Sequence, residues 1–308
     1  MQHNVYFLVL PGVMSLDLTG PAEAMRIAGD FKLHYVGPLP EVELSTGLMV
    51  SHIQPLPDSL PTGSIIVIPG VNNSAAAFFT PAALRIRDWL HQQKTLIDTG
   101  QLTLVCICSG SVLAGCAGLL DGYQCTTHHD LITRLREQVP LALVKDNRIF
   151  VEDRHVLTSA GISAGIDLAL HLIARYQGTQ AAIKVAREMV VYFRRAGDDP
   201  QLSPWLQYRN HLHPALHRAQ NLLSAEPESV WQIDALAAKA HISGRHLARL
   251  FRQHLGISIR DYHEQLRLAV AEQRLQQGFG IEKAALTAGF TSGRQLRRAQ
   301  QRKQAQSS

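Results

Sequence analysis

Short runs of apolar, β-branched residues alternate with helix-like segments through the first two-thirds of the chain. The runs VYFLVL at 5–10, IIVIPG at 65–70 and LTLVCIC at 102–108 are separated by segments such as AALRIRDWLHQ, where apolar residues recur at helical spacing. Strands that alternate with helices are typical of a parallel sheet, and a strand buried on both faces is a continuous apolar run. The sequence therefore predicts an α/β domain over residues 1–195, with helices on both faces of its sheet.

The charges are distributed unevenly along the chain. Residues 1–215 contain 16 Lys and Arg against 18 Asp and Glu, a net charge of −2, whereas residues 216–308 contain 14 against 7, a net charge of +7. A basic segment beside a nearly neutral domain is typical of an appended nucleic-acid-binding domain, because phosphate neutralisation supplies most non-specific affinity. A solvated basic tail would have the same charge, so charge alone leaves both interpretations open.

A polar segment separates the two parts. The sequence RAGDDPQLSPW at 195–205 contains two Asp and two Pro and is typical of a linker. Beyond it the apolar residues recur only at helical spacing. We therefore predict a linker at 196–212 and an all-α domain at 213–308. With 46% hydrophobic and 18% charged residues, the 308-residue chain has a globular composition, which excludes a wholly disordered or fibrous protein.

Two consecutive helices with a short turn are predicted in QIDALAAKAHISGRHLARLFRQHLG at 232–256, where Ser243 is a suitable N-cap for the second helix. On that helix, Leu247, Leu250 and Phe251 share one face. The opposite face consists of Arg245, His246, Arg249 and Arg252. Such a helix suits the major groove of DNA, where arginine recognises guanine bidentately or contacts phosphates.

The same pattern occurs again in IEKAALTAGFTSGRQLRRAQQRK at 281–303, where Ser292 is the predicted N-cap. A long amphipathic helix is predicted between the two copies, around 262–276. Two basic helices on a rigid spacer can enter successive major grooves, which recur every ~34 Å along DNA. The candidate DNA contacts of the second copy are Arg294, Gln295, Arg297 and Arg298. The two caps, Ser243 and Ser292, are further candidates for DNA contact.

Residues 230–303 resemble the AraC/XylS family of bacterial transcription regulators. The resemblance is carried by Leu236-Ala237, Ser243, the segment Arg245 to Phe251, Gly256, Tyr262, Arg267-Leu268 and Ala288-Gly289-Phe290. It implies an all-α double helix-turn-helix domain that binds promoter DNA and contacts RNA polymerase.

Cys108 is predicted to lie at a sharp strand-to-helix turn of the nucleophile-elbow type, because the strand LTLVCIC leads directly into Ser109 and a helix. A thiol at a helix N-terminus is expected to have a lowered pKa, and His128 is a candidate base for it. Asp17, just after the first strand, is a candidate carboxylate for the thiol or for a ligand. The backbone N–H groups that follow Gly70, and that of Ser109, are candidate donors to a bound oxyanion or carboxylate.

Residues 4–175 resemble the ThiJ/PfpI group of the class I glutamine amidotransferase-like superfamily. The motifs are LPGVMSLDLTGP, VIPG, CSGSVLAGCAGLLDG, TTHH and TSAGISAGIDLALHL. The resemblance implies a flavodoxin-like parallel sheet sandwiched by helices, with Asp17, Cys108 and His128 as the acidic, cysteine and histidine residues of the site. The peptidase branch has a histidine directly after the cysteine, and Ser109 at that position argues against a peptidase.

The N-terminal sequence has no cationic segment before its apolar run, which meets Pro11 and Gly12 far below the ~20 residues of a membrane span. The four cysteines do not spread across the chain as a disulfide framework would, since all lie within 106–125. We therefore expect a cytoplasmic protein without a membrane partner.

Both resemblances together point to the amidase-like regulators of the AraC family. The leading hypothesis is a transcription regulator, not an enzyme, whose α/β domain senses a small-molecule effector and forms a homodimer. The resemblance implies nitrogenous or amino-acid-related ligands for several members of the family. We predict neither a cofactor nor a metal ion.

Two other hypotheses depend on Cys108. The first is a thiol-dependent hydrolase or hydratase that acts on a small amide-like or nitrile-like substrate, with the helical domain as an accessory. The second is a redox sensor in which Cys106 resolves an oxidised Cys108. Cys106 and Cys108 share a strand face, but a thiolate zinc site needs about four ligands in closed geometry, and His128-His129 alone does not complete such a set.

Overall fold

The computed structural model describes residues 2–72, 74–191, 195–197, 201, 208, 211, 213–276 and 278–306. The chain divides into two compact units, 1–201 and 202–308. Most of the predicted linker, 196–212, lies outside the described residues, so its bounds stay a prediction. Among the described helices, none combines the length and the apolar character that a membrane crossing requires.

The first unit alternates strands and helices, as the apolar runs predict. Its strands are β1 (His3–Leu8), β2 (Phe31–Val36), β3 (Val42–Glu43), β4 (Met49–Val50), β5 (Ile65–Ile68), β6 (Thr103–Ile107), β7 (Gln124–Cys125), β8 (Leu143–Val144), β9 (Phe150–Asp153) and β10 (Val156–Ser159). Its α-helices are α1 (Ser15–Ala28), α2 (Ser74–Ala77), α3 (Pro81–Gln92), α4 (Lys94–Asp98), α5 (Gly110–Cys116), α6 (Ile132–Gln138), α7 (Ala164–Gln177) and α8 (Thr179–Glu188), with a 3-10 turn at His129–Leu131.

The main sheet has six strands in the order β2-β1-β5-β6-β10-β9. All neighbouring pairs are parallel except β10 and β9, which form an antiparallel hairpin at one edge. Numbered among themselves, the parallel strands run 2-1-3-4-5, which is the flavodoxin-like order. The central strands β5 and β6 are buried at every position because helices cover both faces. The predicted fold class is confirmed.

The strand order reverses between β1 and β5, and this reversal determines where a site can form. At such a switch point the loops that leave the two strands turn to opposite faces of the sheet, which opens a crevice at the carboxyl ends of the strands. The chain segments that follow β1, β5, β6 and β10 all meet there. They carry Asp17, Gly70, Cys108 and Ile162, respectively.

Helices are the only regular secondary structure among the described residues of the second unit, as predicted. Its helices are α9 (Pro214–Ala225), α10 (Ile233–Lys239), α11 (Gly244–Leu255), α12 (Ile259–Gln276), α13 (Ile281–Thr287) and α14 (Gly293–Gln306). One apolar cluster, which includes Leu236, Leu247 and Phe251, joins α9 to α12. A second cluster around Phe290 and Leu296 packs α13 and α14 against the end of α12. Each helix pair therefore has its own small core.

Candidate functional site

Cys108 lies at the end of β6 in a backbone conformation that non-glycine residues rarely adopt, with φ of 55°. Two hydrogen bonds hold it there. The Cys108 N–H donates to the Ser159 carbonyl at 3.0 Å, and the Thr127 hydroxyl donates to the Cys108 carbonyl at 2.7 Å. Such a conformation persists only where the surrounding structure fixes it. The predicted strand-to-helix elbow is therefore present, and its thiol is buried.

Two glycines bring backbone directly against the thiol. A Cβ atom built on Gly161 would lie 2.1 Å from the Cys108 Cβ and 2.8 Å from its Sγ, and Gly161 itself has φ of 87°. A Cβ atom on Gly70 would lie 2.6 Å from Asp17 Oδ2 and 2.8 Å from the Cys108 Cβ. Only glycine fits at either position without displacing the elbow. Gly161 belongs to the predicted TSAGISAG motif, but its contact with the cysteine was not foreseen.

Asp17 is fully buried near the start of α1 and accepts hydrogen bonds from two distant segments. Its Oδ2 accepts the Gly70 N–H at 3.1 Å, and its Oδ1 accepts the Ile162 N–H at 2.5 Å. Burial raises the pKa of Asp17 to about 6, although these two bonds and one with the Cys108 thiol act in the opposite direction. The carboxylate therefore joins the segments after β5 and β10 and the elbow cysteine.

The predicted low pKa of Cys108 is wrong. Burial, and after it the neighbouring Asp17 carboxylate, raise the pKa of this thiol to about 12. A hydrogen bond with the Ser109 backbone acts in the opposite direction but does not compensate. The helix-dipole argument fails because desolvation of the charged form and a nearby anion outweigh the field of the short helix α5. Cys108 is a protonated thiol that donates to Asp17.

Alkylation of the cysteines is expected to show this protonation. At pH 7.5 we expect iodoacetamide to modify Cys108 at least about tenfold more slowly than the exposed Cys116, because only an accessible thiolate reacts. Peptide mass spectrometry of a labelling time course measures both rates in one sample, so Cys116 is the internal control. Faster labelling of Cys108 than of Cys116 would contradict the assignment.

Asp17→Asn is expected to lower the free energy of unfolding by about 1 to 3 kcal/mol, because the amide NH2 would face a buried backbone N–H. The difference from the wild type should depend on pH. The native pKa of Asp17 is raised, so its stabilising contribution is complete below the unfolded pKa of 3.8 and disappears as the pH rises through about 6. In urea unfolding, the difference in the free energy of unfolding between the wild type and Asp17→Asn should therefore be larger at pH 5 than at pH 8, by on the order of 1 kcal/mol.

The matched control is Asp88→Asn, which removes an exposed carboxylate paired only with its neighbour Arg87 in the described contacts. We expect this variant to unfold like the wild type at both pH values. If the stability difference between the wild type and Asp17→Asn increased from pH 5 to pH 8, it would contradict the raised pKa of Asp17.

Ser109 and His128 differ in how they relate to the elbow. The buried Ser109 Oγ accepts the Val71 N–H at 2.8 Å, which ties the elbow to the segment after β5. The described side-chain contacts of His128 are with Asp130 and His129, and none of them is with Cys108. Burial lowers the pKa of His128. The structure therefore brings Asp17, Gly70, Cys108 and Ser109 together but does not pair the predicted base with the thiol.

A cluster of potential metal ligands lies at the same loop. Among the described residues, His128, His129 and Asp130 have ligand atoms within 4.8 Å of one another. His129 and Asp130 are exposed. Cys106 is fully buried, and burial raises its pKa well above the usual value, which disfavours the thiolate that a metal or a resolving reaction would require.

The first helix-turn-helix pair is formed by α10 and α11. The Ser243 Oγ accepts the His246 N–H at 3.3 Å, so the predicted N-cap is present. The predicted apolar face of α11 is buried, and Arg245, Arg249 and Arg252 are exposed. A groove of about 730 Å³ is lined by Arg249, Arg252 and also Arg260, at the start of α12. Arg260 was missed because the predicted pattern treated α12 only as a spacer.

The second pair, α13 and α14, is capped in the same way but uses one predicted contact differently. The Ser292 Oγ accepts the Gln295 N–H at 3.2 Å, and Arg294, Arg297 and Arg298 are exposed. The Gln295 Oε1, however, accepts both the N–H and the hydroxyl of Thr291, at 2.7 and 2.9 Å. This side chain therefore stabilises the start of α14, much as in a capping box.

The two pairs share further details that mark them as an internal repeat. The first residue of each second helix is a glycine beside a carboxylate of the first helix: Gly244 meets Asp234, and Gly293 donates its N–H to Glu282 at 2.8 Å. The turn residues His241 and Gly289, 48 positions apart, both have positive φ, at 59° and 81°. In each copy a turn residue with positive φ and a serine cap therefore precede the basic helix.

A model of the DJ-1/PfpI family matches residues 3–175, more than half of the chain. The chain belongs to the DJ-1/PfpI family. A helix-turn-helix domain model also matches this DJ-1/PfpI protein, at residues 236–307. The fold is similar to that of a THiJ/PfpI family protein from Pseudomonas syringae, with a TM-score of 0.54 and 22% identity over 78% of this chain and 89% of that chain.

The relatives of this DJ-1/PfpI protein include regulators and an enzyme. The HTH-type transcriptional regulator CdhR of Pseudomonas aeruginosa is 30% identical over 303 residues, which are 95% of this chain and 86% of that protein. The HTH-type transcriptional regulator GbdR of the same species is 35% identical over 60% of this chain and 51% of that protein, so the match spans about half the length of GbdR. Isonitrile hydratase of Pseudomonas putida is 34% identical over 60% of this chain and 75% of that protein. The predicted combination of an AraC-type helix-turn-helix with a ThiJ/PfpI domain is confirmed.

Proposed function

We propose that this protein is a sequence-specific DNA-binding transcription regulator whose α/β unit senses a small metabolite. The observation that carries the proposal is the repeated, capped helix-turn-helix, in which each second helix exposes arginines. The names of CdhR and GbdR as HTH-type transcriptional regulators support the same function. The proposed partners are promoter DNA, RNA polymerase and a second copy of this chain. The proposed domains are 1–195, the linker 196–212 and 213–308.

The proposed ligand pocket is the site around Asp17, Gly70 and Cys108 at the switch point of the sheet. Four chain segments meet at this position, so a ligand there contacts several of them at once. A ligand with different affinity for two arrangements of these segments shifts the population between them. Nitrogenous or amino-acid-related metabolites, which the family resemblance implies, are the first candidates to test.

Selection of genomic DNA by the purified full-length protein tests the regulator function. We expect a reproducible sequence motif in intergenic fragments, a footprint over about two turns of DNA, and specific binding that persists at salt concentrations where non-specific binding is lost. The genes beside the selected sites would then suggest ligands. Weak binding that is equally sensitive to salt on every fragment would contradict the proposal.

A second candidate function is hydration of a nitrile-like or isonitrile substrate, and the similarity to isonitrile hydratase favours it. A protonated Cys108 that donates to Asp17 is a weak nucleophile, which argues for binding over turnover. Incubation of the protein with an alkyl isonitrile, followed by assay of the N-alkylformamide product, distinguishes a hydratase from a regulator without this activity. An enzyme would form the product and lose this activity in Cys108→Ser, whereas the regulator should form none and Cys108→Ser should still bind the selected DNA.

A further inference from the structure

Arg195 anchors the end of the first unit to the start of α7. Its backbone N–H donates to Asp167 Oδ1 at 2.9 Å, and its Nε and Nη2 donate to Asp167 Oδ2 at 2.9 and 2.6 Å. Nη2 also donates to the Ser163 hydroxyl at 2.9 Å. The Asp167 side chain is only 4% exposed, so this charge-assisted set is well shielded from solvent. The chain is therefore held at one defined point just before the predicted linker.

The same end of α7 contacts the residues of the proposed ligand site around Cys108. Ser163 is the N-cap residue of α7, and Ile162, directly before it, donates its N–H to Asp17. Ile162 has φ of 49°, a conformation that is strained for a β-branched residue. Gly161 contacts Cys108. Only a few residues of one continuous turn thus separate the pocket from the Arg195 anchor.

Gln201 provides a second anchor, on a residue that itself contacts Cys108. This residue belongs to the predicted linker, yet it is only 8% exposed. Its Nε2 donates to the carbonyls of Thr127 and Arg148, at 2.8 and 2.9 Å. Thr127 is the residue whose hydroxyl donates to the Cys108 carbonyl at 2.7 Å. Thr127 therefore connects Cys108 directly with Gln201, in the chain that follows Arg195.

Near the Arg195 anchor, Gly197 lies beside the edge strand β9. The Gly197 carbonyl accepts the Phe150 N–H at 3.4 Å, and a Cβ atom on Gly197 would lie 2.8 Å from the Phe150 carbonyl. A cleft of about 760 Å³ is lined by Arg195, Ala196 and Gly197 together with residues of β9 and α7. Arg195 and Gln201 are thus each held by side-chain hydrogen bonds, and Ala196 and Gly197 border the cleft.

We propose that Arg195, Ala196, Gly197 and Gln201, which we call the strap, transmit the state of the Cys108 pocket to the DNA-binding unit. A ligand or modification that moves Ile162 changes the Asp167 anchor, and one that moves Thr127 changes the Gln201 anchor. Release of either anchor frees the chain immediately before the second unit. The proposal rests on the proposed regulator function and assigns the coupling between its two activities to named contacts.

Hydrogen–deuterium exchange of the full-length chain, measured by mass spectrometry without DNA, tests this coupling. Asp167→Asn weakens the Arg195 anchor directly. Asp17→Asn and the milder Thr127→Val each alter the pocket and leave the strap residues unchanged. The control is Glu152→Gln, which removes an ion pair with His171 and Arg175 near the strap but changes no described strap contact. Peptides from β6 measure global unfolding.

We expect Asp167→Asn to raise the exchange rate of peptides that span 195–201 by about tenfold, the effect of losing a charge-assisted hydrogen bond. Asp17→Asn should raise it by a similar factor, and the double variant Asp17→Asn/Asp167→Asn by no more than the larger single effect. Glu152→Gln should not change it. In every variant the strap should exchange at least about tenfold faster than β6, because it opens locally.

Two results would overturn the proposal. One is unchanged strap exchange in both Asp17→Asn and Thr127→Val. The other is strap exchange that rises only to the rate of β6, which would mean global unfolding. Neither result concerns DNA, so the coupling can fail while the genomic selection still succeeds, and a failed selection with a responsive strap would overturn the regulator function instead.

Discussion

Gly161→Ala is expected to destabilise the first unit by about 2 to 5 kcal/mol, a large effect for a single added methyl group. The added Cβ would overlap the Cβ of Cys108, at 2.1 Å, and a residue with a side chain is strained at φ of 87°. The elbow cannot move away, because Cys108 is already held in a strained conformation by Ser159 and Thr127. Urea unfolding followed by circular dichroism measures the change.

Gly63→Ala is the matched control for this substitution. Gly63 has φ of 83°, nearly the same as Gly161, but a methyl group added there would have no atom within 4 Å among its non-neighbouring residues. This variant therefore contains only the backbone strain, which we expect to lower the free energy of unfolding by about 1 to 2 kcal/mol. The difference between the two variants measures the close approach of backbone to the thiol. Equal destabilisation of Gly161→Ala and Gly63→Ala would contradict the close contact between Gly161 and Cys108.

The double variant Arg249→Ala/Arg298→Ala is expected to remove nearly all sequence-specific DNA binding. One exposed arginine is taken from α11 and one from α14, and each is expected to contribute about 1 to 3 kcal/mol if it recognises a base. The sites lie in separate helix pairs, so their effects should add to about 2 to 6 kcal/mol, or roughly 30-fold to more than 10⁴-fold in the dissociation constant. Titration of a selected site and of a shuffled sequence by fluorescence anisotropy measures both affinities.

The control removes the same charge elsewhere. Lys184→Ala/Arg187→Ala takes two exposed cations from α8 in the first unit, and we expect it to bind the selected site like the wild type. A loss in the test variant that is equal on the selected and shuffled DNA would assign phosphate contacts to the two arginines. No loss on either DNA would contradict the assignment of α11 and α14 as the recognition helices.

Properties encoded by neighbouring residues could be predicted from the sequence. The apolar runs became the fully buried strands β5 and β6, because a strand covered on both faces requires apolar residues at every position. The caps Ser243 and Ser292 are present because a side-chain acceptor for an N–H three residues on is a purely local arrangement.

Properties that depend on distant contacts could not be predicted. The partner of Asp17 is Ile162, 145 residues away, and nothing in the local sequence of either residue encodes that hydrogen bond. The raised pKa of Cys108 has the same origin, since it depends on burial and on the placement of Asp17. The helix N-terminus that follows Cys108 is visible in the local sequence, but the burial and the anion that raise the pKa are not, so the predicted shift had the opposite sign.

The capping contact of Gln295 removes one potential source of sequence information from the half of the DNA target beneath α14. Glutamine is one of the two side chains that recognise adenine by a bidentate pair, and here its Oε1 is occupied by Thr291. The other candidate contacts on α14 are arginines, which recognise guanine or hold phosphates. Arginines have the same role on α11, so the expected difference is confined to the base pair beneath Gln295, where the operator should show no preference for adenine.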